Sequence, residues 1–333
     1  MTKRMILFLV TVMITFGTTA QPLKFHNGKF KIVQFTDLHY VVGNKASDAA
    51  IACIDEVIDA EKPDLVVVTG DIAYSKPGSA AMQVILDAIS KHNVPFAMTF
   101  GNHDGEQGTP LTALYDQIQK TPNCVQPNLA TTKTMDYVLP IKSETGQKTE
   151  ALIYCLNTHD RSSMKDVNGY QWLTFNQINW YRNRSASYKS LNGGKPLPAI
   201  AFFHIPLPEF NEAVANTQCV LYGTRMEKAY TPNLNSGMFT SMKEMGDVMG
   251  IFCGHDHDND YSVMYYKVLL AHGRFSGGNT EYNHLKNGAR VIILEEGKRE
   301  LETYIRERYG QILYRTTYPT SYVKDNWKTR KTE

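Results

Sequence analysis

The sequence predicts an α/β fold with two facing mixed sheets, and three observations carry the prediction. Short apolar runs alternate with segments of helical periodicity through residues 31–100. The order strand, helix, strand, helix, strand calls for a parallel sheet with right-handed crossovers. Polar motifs follow several of the apolar runs directly, and parallel sheets bind ligands outside the carboxyl ends of their strands. We therefore expect the functional site at that edge.

The first third of the chain supplies the parallel sheet. Residues 65–68 are a continuous run of leucine and valine, which is typical of a strand buried on both faces. Ser47 is placed to cap a helix that runs to about Ala60, with apolar residues at helical spacing and Pro63 just beyond its end. The predicted strands are residues 31–35, 65–69 and 94–100, and the predicted helices are residues 47–60 and 79–91.

The remainder of the chain predicts a second mixed sheet that faces the first, with helices outside. The last two strands are joined as a hairpin across Glu296, Gly297 and Lys298. Residues 121–149 are loop-rich with a strand or hairpin around 135–141, residues 185–198 are a linker, and the tail from about Tyr309 receives no assignment. The other predicted strands are residues 152–156, 199–203, 248–253, 261–270, 289–295 and 301–306, with helices at 109–120 and 172–184. Trp172, Phe175, Trp180 and Tyr181 are expected on the core face of the latter helix.

The N-terminus has the order of a secretory signal. Lys3 and Arg4 precede an apolar run over residues 5–16, and small residues end at Ala20. The run is shorter than the ~20 residues that a spanning helix needs, which favours a cleaved signal over a membrane anchor. We expect export to the periplasm or the extracellular space, with no stable membrane span after cleavage. The expected organisation is a signal peptide at 1–20, one domain at 21–310 and a C-terminal tail at 311–333.

Charge and cysteine content narrow the possible partners. The net charge of +2 gives no signature of polyanion binding, so nucleic acid is not expected as a bulk partner. Five cysteines leave at least one unpaired. Cys53, Cys155 and Cys253 lie in apolar runs and are expected as core thiols, whereas the loop residues Cys124 and Cys219 are the candidates for a disulfide.

Five polar motifs follow five of the apolar runs and together form a set of metal ligands. The set holds two carboxylates, four imidazoles and one amide, a mixture that suits Zn, Fe, Mn or Co. Four ligands could close a single structural site, but such sites usually use cysteine. Seven candidates are more than one site needs, which indicates two metals that share a carboxylate, and Asp71 is well placed to bridge them. Such a pair of metals promotes displacement at phosphorus and lowers the pKa of a shared water. The candidates are Asp37, His39, Asp71, Asn102, His204, His255 and His257.

The motifs Asp-x-His, Gly-Asp, Gly-Asn-His-Asp, a lone His after a strand, and Gly-His-x-His occur in this order over residues 30–306. In this the chain resembles the calcineurin-like metallophosphoesterase superfamily, which includes purple acid phosphatases. Residues 203–209 and 254–261 also resemble the corresponding segments of secreted bacterial and fungal members, which supports the same assignment. The resemblance implies a four-layer α/β/β/α sandwich. It also implies a dinuclear centre in which one metal takes Asp37, His39, Asp71 and His257, and the other takes Asp71, Asn102, His204 and His255.

The resemblance further implies the catalytic groups. His103 would contact the substrate phosphate or protonate the leaving group, and Asp104 would orient the His103 ring. Tyr74 matches the Gly-Asp-x-x-Tyr pattern of purple acid phosphatases, whose tyrosinate binds ferric iron. Those enzymes have Asp-x-Gly where this chain has His39, and a histidine there fills the space of the tyrosine, so Tyr74 is expected to pack or to support a ligand.

Several other polar residues have open roles. His159, Asp160 and Arg161 follow a strand and form either a substrate-side cluster or a solvated loop. Asp256 and Asp258 are expected to face solvent or to cap a turn. Arg274 could contact phosphate, but a surface arginine is the simpler expectation.

The sequence thus predicts an exported dinuclear-metal phosphoesterase that acts on small phosphate mono- or diesters with two divalent or mixed-valence ions of Mn, Zn or Fe. The alternative is a catalytically silent scaffold that keeps this fold for protein binding. Specificity would lie in loops such as residues 105–110, 159–169 and 211–235, which the sequence does not shape. The oligomeric state stays open.

Overall fold

Two sheets and seven α-helices organise the part of the chain that the structure, a computed structural model, describes: residues 22–132 and 134–324. The predicted signal peptide lies outside these residues. The strands are β1 Lys29–Phe35, β2 Leu65–Thr69, β3 Phe96–Thr99, β4 Tyr137–Lys142, β5 Thr149–Cys155, β6 Ala199–Phe202, β7 Leu221–Tyr222, β8 Val248–Cys253, β9 Ser262–Tyr265, β10 Val268–His272, β11 Gly288–Glu295, β12 Leu301–Glu307 and β13 Ile312–Tyr318. The helices are α1 Asp48–Glu61, α2 Gly78–Ser90, α3 Leu111–Lys120, α4 Leu129–Thr132, α5 Phe175–Leu191, α6 Glu209–Ala215 and α7 Met238–Met245.

The first sheet has six strands in the order β13-β12-β11-β1-β2-β3. Strands β1, β2 and β3 pair in parallel, as the alternation of strands and helices predicts, and β11 to β13 add an antiparallel half. All five residues of β2 are buried, as expected for a strand covered on both faces. The strand β13 lies in the tail that the sequence left without an assignment.

The second sheet has seven strands in the order β4-β5-β6-β8-β10-β9-β7. Its centre, β5-β6-β8-β10, is parallel, and antiparallel strands flank it on both sides. The second sheet has a hydrophobic core on each face, and alternate residues of β6 point into opposite cores. Ile200 packs in the core shared with the first sheet, whereas Ala201 packs in a core with Tyr181 of α5 and Met242 of α7. The predicted sandwich of two mixed sheets with helices outside is confirmed.

Three local predictions differ from the structure. The predicted strand at 261–270 is a hairpin of β9 and β10, because Tyr266 and Lys267 both take positive φ, 45° and 62°, as a tight two-residue turn requires. Helix α5 begins after a capping box between Thr174 and Gln177 and runs on into the predicted linker. Of its expected core face, Tyr181 is buried but Phe175 is 71% exposed.

The disulfide that the sequence left open between Cys124 and Cys219 does not form, and all five cysteines are free. Cys124 packs against the core of the first sheet and Cys219 against the outer core of the second. The two thiols therefore belong to different layers of the sandwich. Among the described residues, no helix has both the length and the apolar character that crossing a bilayer requires.

Arg274 is neither a surface residue nor a free phosphate ligand. It is 2% exposed, pairs with Asp260, donates from Nη2 to Glu307 Oε1 at 2.8 Å, and donates from Nε to a backbone carbonyl at 2.6 Å. This ion cluster ties β12 to the loops that follow β8 and β10. Removing one partner of a buried ion pair destabilises a protein more than replacing both partners by apolar residues, because the remaining partner keeps an uncompensated charge.

We expect Arg274→Met to lower the free energy of unfolding by about 3–5 kcal/mol, since Asp260 and Glu307 would stay buried without their cation. Urea unfolding measures the loss as a shift in midpoint at constant slope. The matched control is Arg182→Met, which removes an exposed ion pair with Glu244 and should cost about 1 kcal/mol or less. Equal losses in the two variants would show that the Arg274 cluster does not stabilise the fold.

Candidate metal centre

The predicted ligands meet where the carboxyl ends of the two sheets face each other. Asp37, Asp71 and Asn102 follow β1, β2 and β3, while His204 follows β6 and the pair at 255 and 257 follows β8. Four of the seven candidates have left-handed backbone, with φ of 54° at Asp37, 40° at His39, 49° at Asp71 and 79° at His255. Such conformations cost roughly 1–3 kcal/mol each for residues other than glycine and cluster at functional sites.

The first cluster consists of Asp37, His39 and His257, all buried, with ligand atoms within 4.8 Å of one another. The Nε2 atoms of His39 and His257 lie 3.1 Å apart, and His257 Nε2 lies 3.6 Å from Asp37 Oδ1. Two ring nitrogens and a carboxylate oxygen thus converge on one point, which is the arrangement that a cation requires.

The second cluster consists of Asp71, His204 and His255, again buried and within 4.8 Å of one another. His204 Nε2 lies 3.1 Å from Asp71 Oδ2 and 3.3 Å from His255 Nδ1. The same Asp71 oxygen lies 3.7 Å from His39 Nε2 in the first cluster. Asp37 Oδ1 also approaches the second cluster, at 3.9 Å from His204 Nε2, but Asp71 Oδ2 lies closer to both His204 Nε2 and His39 Nε2 and is the better placed bridging ligand.

Asn102 is 1% exposed, and neither its amide oxygen nor its amide nitrogen has a hydrogen-bond partner in the structure. Buried polar groups are almost always satisfied, so an orphaned amide next to a ligand cluster indicates a missing partner. The preceding Gly101 packs on Asp71 so closely that a Cβ there would lie 2.5 Å from the Asp71 backbone nitrogen. Only glycine allows β2 and β3 to bring these two ligands together.

Neighbouring groups fix the orientation of the ligands. His204 Nδ1 donates to the backbone oxygen of Thr69 at 2.7 Å, and His257 Nδ1 donates to that of Tyr282 at 2.8 Å. Each bond leaves Nε2 free to bind a metal, because a ring that donates from one nitrogen offers a lone pair at the other. Asp37 Oδ2 accepts from Thr36 Oγ1 at 2.8 Å, which holds that carboxylate in place.

The electrostatics of the cluster also fit bound cations. Burial lowers the pKa of His39 to about 3, so its ring is neutral and can act as a ligand. Burial raises the pKa of Asp37, and the negative charge of Asp71 adds to the rise by a smaller amount. Burial opposes protonation of His204 too, but Asp71, Asp37 and the backbone oxygen of Thr69 together outweigh it and raise the pKa of His204 to about 10. A metal would replace that proton as the positive charge between the carboxylates, and the residues therefore fit a dinuclear metal centre.

The expected role of Asp104 is wrong. Its carboxylate accepts backbone N–H groups of Asp71, Ile72, Ala73 and Gly101 at 2.8–3.0 Å instead of contacting the His103 ring. Asp104 therefore holds the loops after β2 and β3 against each other. The reason is local, because a short 3-10 turn begins at Asp104 and turns its side chain back toward these amides.

The ring of His103 is held by Glu106 instead. Its Nδ1 lies 2.7 Å from Glu106 Oε2, three residues along the same 3-10 turn. The backbone N–H of His103 donates to Asp71 Oδ1 at 2.8 Å, which fixes the residue beside the shared ligand. Burial opposes protonation, yet Asp71 and Glu106 together raise the pKa of His103. Glu106 lies outside the sequence motif, so only the geometry of the turn identifies it as the residue that holds the His103 ring.

Tyr74 packs edge-on against the rings of His39 and His103, with centroid distances of 4.9 and 5.4 Å. A hydrogen bond to Glu281 raises the pKa of Tyr74 to about 12. A phenol that keeps its proton is a poor metal ligand. The contacts agree with the interpretation of Tyr74 as a packing residue.

His159, Asp160 and Arg161 line a cavity of about 470 Å³ together with Asn102. Arg161 lies over the ring of Tyr170 at 4.8 Å, and that ring contacts His255 at 4.5 Å. The three residues thus lie on the side of the centre where a substrate has room.

The two aspartates after β8 are buried, so the expectation that they face solvent is wrong. Both accept backbone N–H groups instead, which is closer to the alternative of a capping role. Asp256 is 3% exposed and accepts from the backbone of Tyr230 at 2.9 Å, and Asp258 is 6% exposed and pairs with His284 at 2.6 Å. Both therefore hold the loops that surround the metal centre.

Sequence reasoning named residues 211–235 as a specificity loop, which contains Glu227 and Tyr230, but it did not identify the individual side chains that wall the centre. A cleft of about 410 Å³ opens over the two clusters. Five of its lining residues come from loops that no motif marks, so only their position in space identifies them: Tyr170, Glu227, Tyr230, Glu281 and Tyr282.

Comparison with known proteins agrees with this geometry. The sequence model of the calcineurin-like phosphoesterase family matches residues 30–259. The "Probable inactive purple acid phosphatase 29" of Arabidopsis thaliana is 32% identical over 310 residues, which cover 82% of this chain and 78% of that protein. Phosphatase DCR2 of Saccharomyces cerevisiae is 31% identical over 268 residues, or 71% of this chain and 45% of that protein.

The fold has counterparts among solved structures. A dimetal phosphatase from Danio rerio superposes with a TM-score of 0.60 at 12% identity, covering 86% of this chain and 98% of that one. At this identity the likeness concerns the fold alone. The sequence match over most of the chain, together with the motifs at the sheet edge, shows that the protein belongs to the calcineurin-like phosphoesterase family.

Proposed function

We propose that this protein is an exported dinuclear-metal phosphoesterase that hydrolyses small phosphate mono- or diesters. The observation that carries the proposal is the pair of buried clusters joined by Asp71. Its Oδ2 lies 3.1 Å from His204 Nε2 in its own cluster and 3.7 Å from His39 Nε2 in the other. One metal would be held by Asp37, His39, Asp71 and His257, and the other by Asp71, Asn102, His204 and His255. When bound, such a pair of cations polarises phosphoryl oxygens and lowers the pKa of water, and Mn, Zn and Fe all suit these ligands.

The chain's own groups supply the rest of the reaction. His103 lies in the cleft over the clusters, and its raised pKa favours the protonated ring. A protonated imidazole at this place can donate to a phosphoryl oxygen or give a proton to the departing alkoxide. Glu106 holds the ring through Nδ1, so that Nε2 is the nitrogen available to substrate.

The main alternative is a catalytically silent member of the family. The names of two relatives from Arabidopsis thaliana, purple acid phosphatases 29 and 14, include the words "probable inactive", which favours this alternative. The ligand set argues against this alternative, because this chain keeps all seven candidate ligands, buried and oriented toward one another. A protein that served only as a scaffold would not need these ligands. We therefore favour the enzyme.

Export rests on residues 1–20. The catalytic domain, predicted at 21–310, would also include β13, Ile312–Tyr318, because this strand pairs with β12 in the first sheet. Cleavage after Ala20 leaves Gln21 as the first residue of the exported protein. N-terminal sequencing of protein recovered outside the cytoplasm tests this, and a retained residue 1–20 segment would contradict cleavage.

The first test of activity compares initial rates on p-nitrophenyl phosphate and bis(p-nitrophenyl) phosphate, with the purified protein loaded with Mn. We expect hydrolysis of at least one ester and its loss on chelation. Preference for the monoester would indicate a phosphatase, and preference for the diester a phosphodiesterase. Two metals bound without hydrolysis of either ester would contradict the proposal and favour the silent scaffold.

A further inference from the structure

The cleft over the metal centre has an unusual wall. Apart from His103 and the candidate ligands, its lining consists of three tyrosines and two glutamates, Tyr170, Glu227, Tyr230, Glu281 and Tyr282. Within the part of the chain that the structure describes, no lysine or arginine lines this cleft. Phosphate-binding proteins commonly place basic side chains around the anion, so an acidic and aromatic wall requires a different explanation.

We propose that this wall binds a positively charged leaving group, so that the substrates are phosphate esters of amino alcohols. The phosphate would lie at the two clusters and the ammonium group against the tyrosines and glutamates. Aromatic faces and carboxylates are the groups that proteins use to bind ammonium ions. The inference rests on the proposed phosphoesterase function and names the substrate class of that same site.

Glu227 is held in position for this role. Its Oε1 accepts the backbone N–H of Asp258 at 2.9 Å, and its Oε2 accepts the hydroxyl of Tyr282 at 3.1 Å. These contacts leave the carboxylate partly exposed in the cleft, with no cation of the chain among its hydrogen-bond partners in the described residues. A fixed carboxylate attracts a cation without the entropic cost of ordering a flexible side chain.

The tyrosines present ring surface on the same side. Tyr230 is 55% exposed and Tyr282 is 46% exposed, which is high for large aromatic side chains beside a buried centre. Tyr282 stacks on His257 at 4.5 Å, so one ring face contacts the candidate ligand and the other is turned away from it. Tyr170 differs, since Arg161 already lies over its ring at 4.8 Å. Tyr230 and Tyr282 are therefore the rings that we assign to the substrate cation.

The same wall disfavours leaving groups with additional negative charge. A second phosphate or a carboxylate in this cleft would approach Glu227 and Glu281, and like charges at short range repel in a partly desolvated site. A neutral polyol could still donate hydroxyl groups to the two carboxylates. The charge of the leaving group, at constant size and shape, is thus the variable to test.

The reaction itself is ordinary hydrolysis. The oxygen of water bonds to phosphorus, the bond from phosphorus to the ester oxygen breaks, and the amino alcohol leaves with the bonding pair and takes up one proton. The products are the amino alcohol and inorganic phosphate, and no oxidant or further reactant is needed.

The test compares choline phosphate with 3,3-dimethylbutyl phosphate, in which a carbon atom replaces the charged nitrogen and the shape is kept. With the Mn-loaded full-length protein we expect kcat/KM to be at least about tenfold higher for choline phosphate, the effect expected of a cation that binds aromatic and acidic groups. Glu227→Gln should bring the ratio of the two kcat/KM values close to one. The matched control, Glu244→Gln on an exposed residue of α7, should keep the ratio of the parent protein.

Because the result is a ratio within one protein, differences in metal loading or folded fraction cancel. A ratio near one in the parent protein would overturn the inference, and so would a ratio unchanged by Glu227→Gln. Faster hydrolysis of glycerol phosphate than of choline phosphate would overturn it in favour of hydroxyl recognition. Hydrolysis of p-nitrophenyl phosphate or bis(p-nitrophenyl) phosphate without hydrolysis of choline phosphate would overturn this inference alone. Hydrolysis of none of these esters, including bis(p-nitrophenyl) phosphate, would overturn the proposed function as well.

Discussion

Asp71→Asn is expected to remove at least one of the two metals and to lower kcat/KM by about a thousandfold or more, since metal catalysis of phosphoryl transfer contributes several kcal/mol. Asp71 Oδ2 lies closer to one ring of each cluster than Asp37 Oδ1 does, at 3.1 Å from His204 Nε2 and 3.7 Å from His39 Nε2. An amide has nearly the same shape, and its oxygen can still accept the His103 N–H. The substitution thus removes charge and bridging capacity while the loop keeps its local contact.

Metal content per chain and the rate on p-nitrophenyl phosphate, measured on the same sample, check this expectation. The control is Asp247→Asn, a buried carboxylate that precedes β8 at its amino end and accepts a hydrogen bond from Tyr154 at 2.9 Å. This variant also loses a buried charge, but at the opposite end of β8 from the clusters. It should therefore keep both metals even if its stability falls. Two metals at full occupancy in Asp71→Asn would show that Asp71 is not the shared ligand.

The place of the site could be predicted from the sequence because of a general property of parallel sheets. Neighbouring parallel strands end at the same edge, so motifs that directly follow β1, β2 and β3 must lie close together. The apolar run of β2 and the Gly-Asp that follows it were sufficient to identify Asp71 as the central carboxylate. The same reasoning places the ends of β6 and β8 together at the edge of the second sheet, but it does not bring that edge against the first, and only the family resemblance predicted this arrangement.

What the sequence did not predict depends on backbone conformation and on contacts between distant loops. The left-handed φ values of Asp37, His39, Asp71 and His255 could not be assigned from residue type, because Asp and His are only enriched in this conformation and most of them do not adopt it. Asp104 accepts hydrogen bonds from four backbone amides that come together only when the loops fold, so its role could not be predicted from its place in the motif. In the same way, a buried ion cluster between β12 and two loops cannot be distinguished from surface charges until the loops are placed.

His103→Ala is expected to lower kcat by about a hundredfold to ten-thousandfold, the usual contribution of a general acid, while both metals stay bound. The ring lies in the cleft and its Nδ1 is occupied by Glu106 at 2.7 Å, so the variant removes the group that faces substrate. The ligand clusters do not include this ring. Metal content therefore separates this variant from Asp71→Asn, which should lose metal and activity together.

Glu106→Gln serves as the companion of His103→Ala, because it keeps a side chain beside Nδ1 but removes the negative charge that helps to raise the pKa of His103. If the protonated ring is the active form, activity is present below its pKa and is lost as the pH rises through it. Removing the charge lowers that pKa, so the basic limb of the kcat profile should move to lower pH, with a loss of about tenfold at neutral pH. A profile that does not move, with kcat reduced in His103→Ala, would show that Glu106 only packs against the ring. Full turnover in His103→Ala with two metals bound would rule out His103 as the proton donor and assign that role to water.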